Sequence, residues 1–178
     1  MNVLSEFKSG LSYQEYIEIL GQNLSLHQLH ERKITVPDAL KKEIAGYEEI
    51  KVLVLTEPWC GDSLALVPII SRIAECNPSW QMRIIRRDEN PELMEKFLTK
   101  GGKAVPIFLF LNPKGEFLFR WGPRPQAAQQ IFEDHRERIF RGEIEKIEVM
   151  KKIRVFYAKD RGMSSLAELM DNFRHHEF

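Results

Sequence analysis

The chain has 178 residues, 43% of them hydrophobic, enough to bury one good core and somewhat long for a minimal domain, so one domain with additions at its ends is expected. Lysine plus arginine equals aspartate plus glutamate at 26 each, which leaves no global positive field to hold a nucleic-acid backbone or an anionic membrane. No stretch approaches the roughly eighteen apolar residues of a membrane span, and the first residues lack the basic, apolar and small-residue order of a secretory signal, so the expectation is a soluble cytoplasmic protein with neither nucleic acid nor membrane as partner.

Ser12-Tyr13-Gln14-Glu15 is a capping-box pattern, and Tyr13, Tyr16, Ile17, Leu20 and Leu24 follow at helical spacing, which predicts an amphipathic N-terminal helix covering one side of the core. Pro37 suits the first turn of a second helix through Ala39, Leu40 and Ile44, with Gly46 near its end. Lys51 to Thr56 then reads as a nearly all-apolar strand of the kind covered on both faces. After Cys60 comes a helix with Leu64, Val67, Ile70, Ile73 and Ala74 on its apolar face and Pro68 inside it, ending before Asn77-Pro78.

Gln81 to Arg86 supplies a second strand, Pro91 opens a short helix through Leu93, Phe97 and Leu98, and Gly101-Gly102 stops it. Ile107 to Leu111 and Glu116 to Trp121 flank Asn112-Pro113-Lys114-Gly115, a hairpin pattern. Two crossover units and a hairpin point to an α/β fold with a central four-stranded mixed sheet flanked by helices. Gln126 to about Phe140 is predicted as one amphipathic helix, with Gly142 dividing it from a charged stretch carrying Ile144, Ile147, Val149, Met150 and Ile153. Ser165-Leu166-Ala167-Glu168 reads as the cap of a last helix through Leu169, Met170 and Phe173. These last segments are read as a helical extension on the same core or a homodimer surface.

Cys60 and Cys76 are the two cysteines, too few for a disulfide scaffold. If both lie on the helix that follows Cys60, sixteen residues at about 1.5 Å each separate them by roughly 24 Å, against the roughly 5.5 Å between alpha carbons that a disulfide requires. Cys60 lies at a strand-to-helix junction, where free backbone amides and the positive end of the helix dipole favour a thiolate. Ser63 stands one turn on, where a dithiol enzyme needs its second sulfur; its hydroxyl can stabilise a Cys60 thiolate but cannot resolve a mixed disulfide. Asp62 and Glu57 are negative influences on such a thiolate, so Cys60 is expected to be reactive without being strongly acidic.

Trp59-Cys60-Gly61-Asp62-Ser63, Pro68 inside the following helix, Val105-Pro106 before the third strand, and Phe108, Phe110 and Gly115 in the hairpin resemble the thioredoxin superfamily over roughly residues 35–140. The same tryptophan-cysteine-glycine-aspartate run is found in bacterial thioredoxin-like proteins. The resemblance implies a thioredoxin-like core over 35–140, with an N-terminal helical extension over 1–34 and a C-terminal one over 141–178. It also implies a cis peptide before Pro106, bringing the Val105 backbone beside Cys60 to meet an extended peptide or a small thiol. Where the superfamily has its resolving cysteine this chain has Ser63, and Asp62 replaces the usual proline.

The expected site is therefore Cys60 as nucleophile with Ser63 as polar stabiliser, and Trp59, Gly61, Asp62, Val105 and Pro106 as substrate-binding positions. The expected chemistry is monothiol exchange with a protein disulfide or a low-molecular-weight thiol, finished by an external reducing thiol. The alternative is a redox-inactive peptide- or protein-binding module that uses the same groove. No cofactor is implied, and His27, His30, His135, His175 and His176 form no metal pattern with the cysteines or acids. Lys100-Gly101-Gly102-Lys103 lacks the order of a phosphate loop and reads as a turn that brings positive charge toward the thiol.

Overall fold

The computed structural model describes residues 1–176. Its helices, in chain order, are Leu4–Ser9 (α1), Tyr13–Glu18 (α2), Leu24–Glu31 (α3), Asp38–Ala45 (α4), Gly61–Ala74 (α5), Pro91–Glu95 (α6), Gln126–Glu133 (α7), Arg136–Phe140 (α8), Lys146–Asp160 (α9) and Met163–His175 (α10). Lys51–Thr56 (β1), Gln81–Arg86 (β2), Ile107–Leu111 (β3) and Phe117–Trp121 (β4) form one sheet in the order β2-β1-β3-β4. β1 runs parallel to β2, as the crossover through α5 requires, and antiparallel to β3, which pairs antiparallel with β4. The architecture is a thioredoxin-like α/β fold with a mixed four-stranded sheet, helices on both faces and further helices at the ends.

Successive side chains of a strand point to opposite faces. On one face Val52 and Val54 of β1 and Phe108 and Phe110 of β3 meet Leu66, Val67, Ile70 and Ile73 of α5, with Tyr16, Ile44, Ile153 and Phe173 around them. On the other, Leu53 and Leu55 meet Ile107, Leu109 and Leu111, under Phe7 of α1, Leu93 and Met94 of α6, and Phe97. Burial on both faces is why β1 and β3 are continuous apolar runs rather than alternating ones. Cys60 and Val105 belong to the second, smaller cluster.

The hairpin turn also anchors the N-terminus. Asn112 Oδ1 accepts from the N–H groups of Lys114 and Glu116 at 2.9 and 3.0 Å, and Gly115 sits at φ +80°. A Cβ there would lie 2.5 Å from Leu4 Cβ, while Val3 N–H donates to Gly115 O at 2.9 Å. Glycine is thus required by both the backbone angle and the approach of the N-terminal segment.

Several sequence expectations are corrected. The helix begun at Ser12 has its capping box but stops at Glu18, because Gly21 turns the chain at φ +52°; α3 restarts at Leu24. The stretch from Gln126 to Phe140 is two helices, α7 and α8, interrupted at Asp134 and His135. Ser165 does not cap the last helix: α10 starts at Met163 after Gly162 in the left-handed region, and the Asp160 carboxylate takes the Ser164 N–H at 3.1 Å. Buried inside α10, the Ser165 hydroxyl has no hydrogen-bond partner among the described residues. α5 ends at Ala74, so Cys76 lies just past it. The pair His175-His176 falls at the end of α10.

Candidate active site

β1 delivers the chain to Cys60 and α5 carries it away. Cys60 is the N-cap residue, extended at φ −78° and ψ 116°, and its carbonyl accepts the first helical bond from Leu64 N–H at 3.1 Å. Cys60 is 8% exposed. Its Sγ–H donates to Val105 O at 3.3 Å, across from the loop that enters β3 through a cis Val105–Pro106 peptide. Sulfur, helix start and proline loop are thereby brought to one point at the ends of the strands, with Gly61 between Cys60 and Asp62.

Burial pushes the Cys60 thiol above its ordinary value, and the nearby Asp62 charge adds to the rise. Hydrogen bonds from the Ser63 hydroxyl and from the N–H groups of Ser63 and Asp62 act the other way, favouring the thiolate. Ser63 is fully buried and is itself held by Thr56, whose hydroxyl donates to Ser63 Oγ at 2.6 Å. That bond uses one acceptor position of Ser63 and leaves its own proton to point at the sulfur.

Asp62 is only 8% exposed, and two long-range partners hold it. Tyr157 of α9 donates to Oδ1 at 2.8 Å, while Arg124 places Nε and Nη2 at 2.8 and 2.7 Å from Oδ2. Glu57 is fully buried beneath the Pro58-Trp59 turn and accepts from Arg86 at 3.3 Å and from Asp88 N–H at 2.8 Å. The two acids close to the thiol in sequence are therefore both matched by arginine.

Trp59 is 57% exposed, with the Arg87 guanidinium 5.0 Å over its ring. Arg87 also donates to Lys103 O at 2.9 Å, tying the strand end of β2 to the loop before Pro106. Lys100 and Lys103 are ion-paired with Glu133 and Glu95. Beside Trp59 a groove of about 600 Å³ is lined by Leu11, Ile19, Leu20, Asn23, Pro58 and Arg86.

The structure thus brings together Trp59, Cys60, Gly61, Asp62, Ser63, Val105 and Pro106. Sequence reasoning missed Thr56, Arg124 and Tyr157. For Tyr157 a signal exists, since it continues the series Val149, Ile153 at four-residue spacing on the buried face of α9. For Arg124, between two prolines and without a helical phase, no local signal exists. Among the described residues no cluster of three or more His, Cys, Asp or Glu side chains could hold a metal ion, and no helix is long and apolar enough to cross a membrane.

A thiol at a helix start, facing a proline-loop carbonyl at the strand ends of a four-stranded mixed sheet, is the arrangement of a thioredoxin-like fold. The family model described as thioredoxin matches residues 10–137, and the chain belongs to the thioredoxin superfamily. Two solved structures share the fold. A protein of unknown function from Pseudomonas aeruginosa superposes with a TM-score of 0.66 at 16% identity, over 94% of this chain and 98% of that one. An HIV epitope scaffold gives a TM-score of 0.73 at 16% identity, over 98% of each chain. No curated protein matches the sequence.

Proposed function

We propose that the protein is a cytoplasmic monothiol member of the superfamily that carries out thiol–disulfide exchange through Cys60. The observation that supports this best is the Cys60 Sγ contact of 3.3 Å to Val105 O, with a serine hydroxyl rather than a second sulfur one turn along α5. The Cys60 thiolate attacks one sulfur of a disulfide, forming a mixed disulfide with it and releasing the other half as a thiolate. An external thiol then attacks the mixed disulfide, regenerates the Cys60 thiolate and takes the first half away as a new disulfide. A second molecule of that thiol reduces this product, so the external pool supplies both electrons. Ser63 and the helix-start N–H groups stabilise the attacking thiolate, and the Val105 backbone aligns the incoming chain.

A neutral probe, bis(2-hydroxyethyl) disulfide, tests this. The expected result is a mass-spectrometric adduct on Cys60 in the wild type and in Cys76→Ser, none in Cys60→Ser, and release of the adduct by added thiol. Absence of the Cys60 adduct would overturn the reading. The open groove beside Trp59 favours one second reading, a binding module without turnover; there, extended peptides would bind equally well to the wild type and to Cys60→Ser.

A further inference from the structure

The Asp62 arrangement is more elaborate than packing requires. Arg124, a residue between β4 and α7, is oriented from two other elements: Nη1 donates to Gln129 Oε1 at 3.2 Å, the guanidinium lies 5.2 Å over the Phe132 ring of α7, and Nη2 approaches the Met150 sulfur of α9 at 3.8 Å. The second Asp62 oxygen belongs to Tyr157, itself buried. An ion pair with so little solvent is weak evidence of stabilisation, because desolvation opposes the mutual attraction and an apolar replacement is often neutral. Its placement two residues from a helix-capping thiol calls for another explanation.

We propose that Arg124 is a positioning residue of the Cys60 site: by holding and neutralising the Asp62 carboxylate, with Tyr157 fixing the other oxygen, it sets the pH range over which Cys60 reacts. This rests on Cys60 being the reacting thiol, as proposed above. Charged and titratable groups face the sulfur from four sides. Asp62 lies on α5; Arg124 precedes α7; Tyr157 and Arg154 come from α9, the Arg154 guanidinium 3.8 Å from where a Cβ on Gly61 would sit; and Tyr16 comes from α2. Glu57 is matched by Arg86. Asp62 raises the Cys60 thiol, and the Arg124 charge interacts favourably with both Asp62 and Cys60. With both partners present the Arg124 charge opposes that of Asp62 at the sulfur, and removing either leaves the other unopposed.

The test is the pH profile of Cys60 alkylation by iodoacetamide, a neutral reagent, in the Cys76→Ser background. Asp62→Asn leaves the arginine alone and should move the midpoint down, whereas Arg124→Gln leaves the carboxylate alone and should move it up, each changing the rate near pH 8 roughly tenfold, as one pH unit implies. The double variant should return close to the parent, and Arg124→Lys should keep most of the parental profile. Loosened packing would move both single variants the same way. Shifts of the same sign in the two single variants Asp62→Asn and Arg124→Gln, or one midpoint shared by these, the double variant and the parent, would overturn the proposal. If Arg124→Gln does not fold, Asp62→Asn and Arg124→Lys still decide it: a downward shift in the first with a near-parental second supports it, and no shift in the first sinks it. A wild type that alkylates with this pattern but forms no mixed disulfide removes the exchange reading instead.

Discussion

The two faces of the sheet share their strands and differ in what covers them. On the first, Phe110 of β3, Phe119 of β4, Trp80 and Phe173 of α10 form a ring cluster, with Phe173 centroids 5.1 to 5.3 Å from the other three, under α5, α9 and α10. On the second, α1 and α6 are short helices over a layer that is mostly aliphatic, with Phe7 and Phe97 among it, and that includes Cys60 and Val105. The four-ring cluster is buried where nothing has to enter. A sulfur that must meet another sulfur lies at the strand ends, where the cover is thin, and its charge environment is supplied from the far end of the chain. If that division is real, Phe173→Ala should cost about 3 to 5 kcal/mol, the range for truncating a buried phenylalanine, measured by urea unfolding. The Cys60 alkylation rate of the folded variant should stay at the wild-type value; a matching change in that rate would join the two faces into one unit.

The sheet was legible because both of its faces are buried. Val52 to Leu55 and Ile107 to Leu111 admit no exposed-face reading, and the hairpin between β3 and β4 is marked by Pro113 and Gly115. The site was legible only as far as the local run from Trp59 to Ser63 and the proline at 106 reach. What decides the charge at Cys60 comes from Arg124 and Tyr157, respectively 62 and 95 residues away from Asp62. No local pattern encodes such a meeting, because it depends on how α9 packs across the start of α5. Helix lengths failed for a related reason: the 3.6-residue period runs on through Gly21 and through Asp134-His135, while the backbone turns at both places.

The first face also carries a buried group that ties stability to acid pH. His27 of α3 is fully buried, with the Tyr13 hydroxyl 2.8 Å from Nε2 and, among the described residues, no hydrogen-bond partner at Nδ1. Burial, with the neighbouring His30 adding to it, pushes its pKa down to about 4. An unfolded chain would hold that proton below about 6.5. Between those values the unfolded state binds more protons than the folded one, so stability is complete above about 6.5 and falls as the pH drops toward 4, by on the order of 3 kcal/mol. Urea midpoints across this window should fall for the wild type and fall less steeply for His27→Gln; equal slopes would place the acid sensitivity elsewhere. The Cys60 side should take no part, since its thiol is pushed upward, out of this window.

The smallest change bears most directly on the thin face. Ile107 follows Pro106, is fully buried and packs in the cluster that holds Cys60 and Val105. Ile107→Val removes one methylene and should cost only about 0.5 to 1.5 kcal/mol, well below the loss for Phe173→Ala. Its effect on the sulfur should run the other way in rank. With less side chain behind the proline loop, the Val105 carbonyl is held less firmly against Cys60, and alkylation of the folded protein should speed up, whereas Phe173→Ala leaves it unchanged. Stability and thiol access would then be controlled from opposite sides of one sheet. A rate that tracks lost stability in both variants would mean that overall loosening, not the layer behind Val105, governs access to Cys60.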